Sequence, residues 1–313
     1  MRRDEVVRWV RAVTVAGIAL AAGVLAGLSG QRADASVVGT FDLGLGARSV
    51  GMGGAFVGLA DDGASLFYNA AGLAWLRGSS LLSSYESLPG AASYGQVSAT
   101  LPHFGAGVTL FDFGEVPETD EYGNTIGSFS YRDYAFIAGV GVRVADLPFV
   151  ARNSWAERIA LGVSAKFLVV STLDGGSGSG FALDLPVLLR AGSAGFVTAY
   201  GVGVVVENAV GIPIRYGSGH EEDWPRKLTM GASVELRNQL VLALDVTTEK
   251  TMRVGAEWTP IPSLSLRSGI GYDGLWRWSL GIGARFGSLV FDGAVVTHPY
   301  MDSQFRGSLC VAW

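Results

Sequence analysis

The nine residues FRGSLCVAW, Phe305–Trp313, alternate in character along their whole length. Every second position is apolar or glycine, which gives the set Phe305, Gly307, Leu309, Val311 and Trp313. A repeat of two is the repeat of a β-strand whose two faces meet different surroundings. This stretch therefore predicts a strand with one apolar face and aromatic residues at both ends.

The same alternation recurs after residue 78. The segment KLTMGASVEL (227–236) places apolar side chains at alternate positions, and QLVLALDVT (239–247) and TMRVGAEW (251–258) repeat the pattern. One face is bulky and apolar, whereas the other is dominated by small residues with a few charges. A small polar face is unusual in open solvent. The pattern therefore favours a closed barrel with lipid outside and a tight polar lumen inside.

The composition agrees with a membrane environment. Only 16% of the 313 residues are charged, against about 25% in soluble domains. The formal net charge of −5 argues against a nucleic-acid partner. The single cysteine, Cys310, excludes an internal disulfide framework.

Fourteen segments fit a strand that crosses a bilayer. They are 79–87, 91–101, 103–113, 129–143, 158–172, 180–192, 196–208, 224–236, 239–248, 250–259, 263–273, 276–287, 288–297 and 303–313. We predict an all-β fold, a transmembrane antiparallel β-barrel of about 14 strands, in the outer membrane of a Gram-negative bacterium. Phe305 and Trp313 would then form the signal that the barrel assembly machinery reads.

Loop lengths give a second check on this strand count. If the first strand runs outward, the long connections 114–128 and 209–223 are extracellular, as expected of such barrels. The connection 144–157 is long yet falls on the periplasmic side. A further hairpin at this point would change the count.

The N-terminus has the pattern of an export signal. Arginines surround the start of an apolar run at 12–28, and Ala33 and Ala35 occupy the small-residue positions that a signal peptidase requires. An uncleaved anchor is the alternative, because the run is near the lower limit of about 17–25 residues for a spanning helix. We predict a cleaved signal peptide at 1–35, an N-terminal hatch or plug at 36–78 and the barrel at 79–313.

The stretch GARSVGMGGAFVGLADDGASLFYNAAGLA (46–74) does not fit a nucleotide site. Its glycines Gly51, Gly53 and Gly54 match neither the dinucleotide-binding motif nor the Walker loop, and the stretch has no lysine. Glycines instead let a backbone pack closely against a lumen wall.

Four polar residues in this stretch suit structural roles. Arg48 has Asp61 and Asp62 as partners, either acid can cap a short helix that runs to about residue 68, and Asn69 can cap the next turn. Because capping and pairing satisfy all four, we favour these roles over contact with a ligand.

The stretch 46–74 resembles the N-terminal signature of the PorV/PorQ-like outer-membrane proteins, a branch of the FadL-like superfamily. The resemblance continues through LGVSAKFL (161–168), ALDLPVLL (182–189), WPRKLTMGAS (224–233) and LSLRSGIGY (264–272). It implies a small hatch inside a fourteen-stranded barrel. The hatch residues, structural or gating, would be Arg48, Gly51, Gly53, Gly54, Asp61, Asp62, Asn69 and Gly72.

Two departures from this family affect the structure. The family motif Asn-Pro-Ala-Gly stands here as Asn69–Gly72 with alanine in place of proline, so a residue that stiffens the turn is missing. Pro186 occupies a mid-strand position where the family usually has glycine. Since proline cannot donate to a β-ladder, we expect a bulge, weak pairing or a gap in the wall there.

Ten charged residues fall on the predicted lumen face. They are Lys166, Asp184, Asp245, Arg253, Glu257, Arg267, Arg277, Arg285, Asp292 and Arg306. Both signs alternate between neighbouring strands, so we expect a ladder of cross-strand ion pairs that holds barrel and hatch together. An electrostatic lining for a permeating solute is the alternative.

The resemblance implies two competing functions. PorV-type relatives suggest a surface component for protein secretion or docking of a type IX-like kind, or a general outer-membrane barrel, with secreted proteins as partners. FadL-like relatives suggest a transporter of hydrophobic small molecules, such as long-chain fatty acids or hydrocarbons. In that case Tyr216 and Trp224 would contribute to a first apolar site.

An enzyme is disfavoured. The histidines His103, His220 and His298 have no assignable nucleophile to activate. The segment GHEED (219–223) has the character of a solvated acidic tip rather than a metal site. We expect no catalytic residue, metal, cofactor or nucleic acid; the general partners would be outer-membrane lipid and the barrel assembly machinery.

Overall fold

The structure is a computed structural model that describes residues 40–41, 43–88, 92–150, 153–172 and 176–313. The predicted signal peptide at 1–35 and the start of the predicted hatch lie outside these ranges. Within them, no helix has the length and apolar character needed to span a membrane.

Fourteen strands form one closed antiparallel sheet. They are β1 (Ser80–Ser87), β2 (Ser93–Leu101), β3 (Phe104–Thr119), β4 (Thr125–Arg143), β5 (Ile159–Ser171), β6 (Gly178–Gly192), β7 (Val197–Tyr216), β8 (Lys227–Leu236), β9 (Leu240–Thr247), β10 (Met252–Ile261), β11 (Leu264–Tyr272), β12 (Trp276–Phe286), β13 (Leu289–Val296) and β14 (Gln304–Ala312). A two-residue strand, Glu221–Glu222, pairs with the end of β7. β1 pairs with β14 and β6 with β7, which closes the ring. The predicted fold class, an all-β antiparallel barrel of 14 strands, is confirmed.

The two ends of the barrel sequence meet at one rim, which we call the proximal end. Ser79 and Trp313 exchange two backbone hydrogen bonds of 2.9 and 3.0 Å there. The connection 144–158 lies at the same end and contains two 3-10 turns, Val144–Asp146 and Ala156–Arg158. Its described residues form no strand, so the fourteen-strand count needs no extra hairpin.

The opposite rim, which we call the distal end, is uneven. β3 runs to Thr119 and β4 begins at Thr125, so most of the loop expected at 114–128 is paired strand. β7 likewise runs to Tyr216, well into the loop expected at 209–223. The expectation of long loops was wrong at these two places, because ladder hydrogen bonds continue past the predicted turns.

The bulky alternating face points outward around the ring. Phe305 and Trp313 are 63% and 70% exposed, and Tyr85 on β1 is 61% exposed. A closed barrel surrounded by lipid requires apolar side chains on its outer face.

The lumen holds the N-terminal segment, residues 43–78. This segment contains helix α1 (Ala47–Gly51), helix α2 (Ser65–Tyr68) and a 3-10 turn at Ala70–Trp75. Most of its apolar side chains are buried, and Met52 and Phe56 are completely so. The hydrophobic core of the molecule therefore lies inside the ring.

Glycines on the wall make room for this segment. A Cβ atom built on Gly255 of β10 would lie 2.7 Å from the Cβ of Met52, and one on Gly269 of β11 would lie 2.7 Å from the Cα of Gly53. Carbon atoms almost never approach so closely. The small lumen face seen in the sequence thus allows close contact between the wall and the segment.

Candidate functional site

Arg48 on α1 joins the N-terminal segment to the wall. Its guanidinium donates to Asp61 and Asp62 at 2.7 Å each and makes a two-point contact of 2.8 and 2.9 Å with Glu257 of β10. Burial alone would lower the pKa of Arg48, but Asp61, Glu257 and Asp62 raise this pKa well above its ordinary value. Burial raises the pKa of Asp62 above its ordinary value, and Arg48 only partly offsets this effect. Arg48 is therefore a permanent cation at the centre of three carboxyl groups.

The ion-pair network continues along the wall. Arg267 of β11 donates to Glu257 at 2.6 Å and to Asp292 of β13 at 2.7 Å. It reaches past β12 because Gly283 lies between, where a Cβ atom would come within 2.7 Å of the guanidinium nitrogens. Buried charges of both signs thus satisfy one another across three strands.

This network lines a cavity of about 610 Å³ at the proximal end. Arg48, Glu257 and Asp292 lie on its walls, and the exposed side chain of Arg285 lies among the lining residues. Arg285 makes no ion pair within the described part of the chain. The cavity is lined by charged and apolar side chains and lies on the proximal side of the N-terminal segment.

Asp245 of β9 binds backbone rather than a cation. Its Oδ2 atom accepts hydrogen bonds from the N–H groups of Phe56 and Val57 at 2.7 and 2.9 Å. Arg253 stands opposite in the register of β9 and β10 but forms no ion pair among the described residues and packs near Gly54. The expected alternating ladder is wrong at this point, because the carboxylate is used by the N-terminal segment.

Lys166 and Asp184 form a second buried ion pair. They lie on β5 and β6, with 2.9 Å between the ammonium and the carboxylate. The other oxygen of Asp184 accepts from the N–H of Asn208 at 2.8 Å, and Asn208 has a positive φ of 54° within an irregular part of the β6–β7 ladder. The ammonium of Lys166 also lies 5.1 Å from the ring centre of Phe41.

Glu86 of β1 is a buried lumen charge that the sequence analysis missed. Arg306 of β14 donates to Glu86 and also to the carbonyls of Leu43 and Gly44 at 2.9 Å each. The alternation of β1 could have identified Glu86, since it stands directly opposite Arg306. Arg277, by contrast, pairs with Asp273 in its own hairpin.

The glycines of the N-terminal segment serve its turns and its contacts. Gly53 and Gly54 have positive φ values of 67° and 80°, which glycine adopts at little cost. A Cβ on Gly51 would lie 3.1 Å from the Cα of Gly281 on β12. Gly72 lies against Ala60 inside the segment itself.

Asn69 connects the segment to the wall beside Pro186. Its side-chain oxygen accepts from the N–H of Ala71 at 3.2 Å, and its amide donates to the carbonyls of Val57 and Val187 at 3.0 and 3.1 Å. In the ladder between β5 and β6, Val187 and Asp184 each have a partner on β5, but Leu185 and Pro186 between them have none. The ladder is therefore interrupted at Pro186, and Asn69 bonds the adjoining residue.

Aromatic side chains line the distal lumen. The rings of Phe41 and Trp224 are 5.9 Å apart, and those of Phe113 and Tyr131 are 5.0 Å apart. Trp224 donates its indole N–H to the carbonyl of Ile212 at 2.9 Å, although it belongs to a loop. Tyr216 packs against the same cluster. The lumen on the distal side of the N-terminal segment is thus lined by aromatic rings.

No cluster of His, Cys, Asp and Glu side chains in the described ranges could hold a metal ion. Three acidic side chains of the network do lie close together, but each forms an ion pair with Arg48. They are Asp61, Asp62 and Glu257.

Comparison with solved structures shows the fold. The toluene transporter TbuX of Ralstonia pickettii is 14% identical with a TM-score of 0.55, and the toluene transporter TodX of Pseudomonas putida is 14% identical with a TM-score of 0.56. A FadL homologue of Pseudomonas aeruginosa is 11% identical with a TM-score of 0.55. Each comparison covers 86% of this chain and 98% of the other chain.

Sequence comparison adds no family. No protein-family model and no curated protein matches the chain, so its membership of the PorV/PorQ-like branch stays a prediction. At such low identity, the structural similarity concerns the fold alone. The chain has the barrel fold of the toluene transporters TbuX and TodX and of the FadL homologue of Pseudomonas aeruginosa.

Proposed function

We propose that the protein transports hydrophobic small molecules across the outer membrane of a Gram-negative bacterium. The observation that carries this proposal is a lumen filled by the N-terminal segment, in a barrel with the fold of two toluene transporters. A lumen occupied by the buried contacts of the described N-terminal segment argues against a wide aqueous pore.

The passenger would first meet the aromatic side chains of the distal lumen. Phe113 is 43% exposed there, and Tyr131 and Tyr216 are partly exposed. Aromatic rings bind an apolar molecule through their large apolar faces. The N-terminal segment then acts as the hatch that stops the passenger.

The exit in this proposal is sideways, through the wall at Pro186. Proline lacks the N–H that a β-ladder needs, and the pairing of β5 with β6 is interrupted there. Asn69 of the hatch bonds the carbonyl of Val187 at the same place. Movement of the hatch would therefore break a wall contact and release an apolar passenger into lipid.

Uptake by cells that express the full chain tests the proposal. Labelled toluene and a labelled long-chain fatty acid are offered to cells with the wild type, Pro186→Val or the control Pro117→Val, which lies in the distal extension of β3. Valine restores the donor and suits a strand, so Pro186→Val should lower uptake several-fold while Pro117→Val leaves it unchanged.

Two results would count against parts of this proposal. If Pro186→Val takes up both compounds at the wild-type rate, the sideways exit is wrong. If the wild type takes up neither compound above the level of cells without the barrel, transport itself is wrong. Recovery of a stoichiometric protein partner without bound lipid, after purification in mild detergent, would then favour the docking function implied by the PorV-type resemblance.

A further inference from the structure

We propose that the distal lumen selects hydrophobic molecules that carry a protonated amine, with Asp133 as the carboxylate that binds it. This inference rests on the proposed transport function and narrows the class of passenger. It concerns Asp133 and four aromatic residues of the distal lumen, Phe41, Tyr131, Tyr216 and Trp224, which together we call the distal cluster.

Asp133 has an unused acceptor. It lies on the lumen face of β4 and is only 3% exposed. Its Oδ2 atom accepts from the hydroxyl of Thr40 at 3.0 Å, whereas its Oδ1 atom accepts no hydrogen bond of normal geometry among the described residues, although the Tyr131 hydroxyl lies near enough to interact with the carboxylate. A buried carboxylate oxygen without a partner is unfavourable, so a ligand that donates to Oδ1 would be stabilised.

The aromatic rings around Asp133 suit a cation. Phe41, Tyr131, Tyr216 and Trp224 pack on one apolar group of wall residues. An ammonium group already rests on this cluster, since that of Lys166 lies 5.1 Å from the ring centre of Phe41. Ring faces attract cations, more strongly where water is excluded. The cluster therefore offers both an apolar surface and a favourable field for an amine.

The other charges of the distal lumen leave an acidic balance. Lys166 is paired with Asp184 at 2.9 Å, and Lys227 with Glu207 at 3.1 Å. Glu222 is a further acid at this end and accepts from the hydroxyl of Tyr216 at 2.9 Å.

Neighbouring arginines do not offset these acids. Arg132 pairs with Asp112 on the outer face, and Arg215 pairs with Glu221 at the exposed rim. A ligand carboxylate would therefore meet Asp133 while these two arginines are already paired, whereas an amine would be attracted.

Binding of four matched probes to the purified full-length barrel tests the inference. The probes are 4-phenylbutylamine, 4-phenylbutanol, 4-phenylbutanoate and toluene, measured at neutral pH by calorimetry in detergent. The amine should bind at least about tenfold more tightly than the alcohol, as a charge-assisted hydrogen bond to a buried group predicts. The carboxylate should bind most weakly.

The variant Asp133→Asn assigns the preference to its residue. Its affinity for the amine should fall to that for the alcohol, while toluene binding stays the same. Asp112→Asn is the matched control, because Asp112 lies on the adjacent strand with its side chain paired outside the lumen. Folding of each variant is checked by its resistance to unfolding in detergent.

The outcomes separate this inference from the proposed function. Equal affinity of the wild type for amine and alcohol, or a preference for the carboxylate, overturns the amine class while toluene binding leaves transport standing. An amine preference that survives in Asp133→Asn overturns the role of this residue. If no probe binds, the amine class is wrong, and the uptake experiment with cells decides the transport function separately. If Asp133→Asn does not fold, the ranking of the four probes on the wild type still decides whether the barrel prefers an amine.

Discussion

Asp245 shows how a single buried carboxylate holds the N-terminal segment. It offers one oxygen to two backbone N–H groups, those of Phe56 and Val57. A carboxylate that accepts backbone N–H groups makes strong, charge-assisted hydrogen bonds. The residue therefore acts as a local anchor that needs no cation.

Replacing Asp245 tests this anchor. Asp245→Ala leaves two buried N–H groups without an acceptor, and we expect the free energy of unfolding to fall by about 3 kcal/mol. Denaturant unfolding in detergent measures this free energy. Asp112→Ala, which removes a more exposed ion pair with Arg132, should change the value by at most about 1 kcal/mol. Equal losses in both variants would contradict the anchor.

A single methyl group tests the close contact of wall and segment. In Gly255→Ala the new carbon would meet Met52 inside the lumen, and we expect a loss of about 1–3 kcal/mol of unfolding free energy. Gly95→Ala is the matched control, because it lies on β2 with nothing within 4 Å of the new carbon. A loss of the same size at both glycines would show that strand propensity, not contact, sets the effect.

At the scale of elements, the strands were readable from sequence because each has unlike faces. All fourteen predicted segments correspond to β1–β14. The extensions of β3 and β7 were not readable, since residues such as Gly114 and Pro117 have the composition of a loop. There, pairing with a neighbouring strand decides the structure, and a local pattern does not report it.

The partners of the lumen charges were only partly readable. Glu257 and Arg267 stand opposite each other on neighbouring strands, which alternation predicts. Asp245 also has an opposite cation, Arg253, yet binds the N-terminal segment instead. The position of a residue on a strand determines whether its side chain points into the lumen. Its hydrogen-bond partner there also depends on the N-terminal segment, as the contacts of Asp245 with Phe56 and Val57 show.

At the scale of the whole molecule, we expect the Arg48 network to help keep the N-terminal segment in the lumen. Arg48→Ala would leave Asp61, Asp62 and Glu257 close together without their shared cation. Repulsion should then loosen the N-terminal segment, so we expect higher ionic conductance in planar bilayers than for the wild type. Arg132→Ala, on the outer face, is the control. Wild-type conductance in Arg48→Ala would show that other contacts suffice to keep the segment in place.

The glycine contacts also constrain how such a chain can change over generations. Gly255 and Gly269 touch the segment almost backbone to backbone, whereas Gly95 and Gly307 have nothing within 4 Å of an added carbon. A mutation at the first pair is tolerated only if the facing residue shrinks or moves at the same time. Substitutions at these inner-wall positions and in the N-terminal segment are therefore expected to occur together, whereas substitutions at Gly95 and Gly307 can occur independently of the segment.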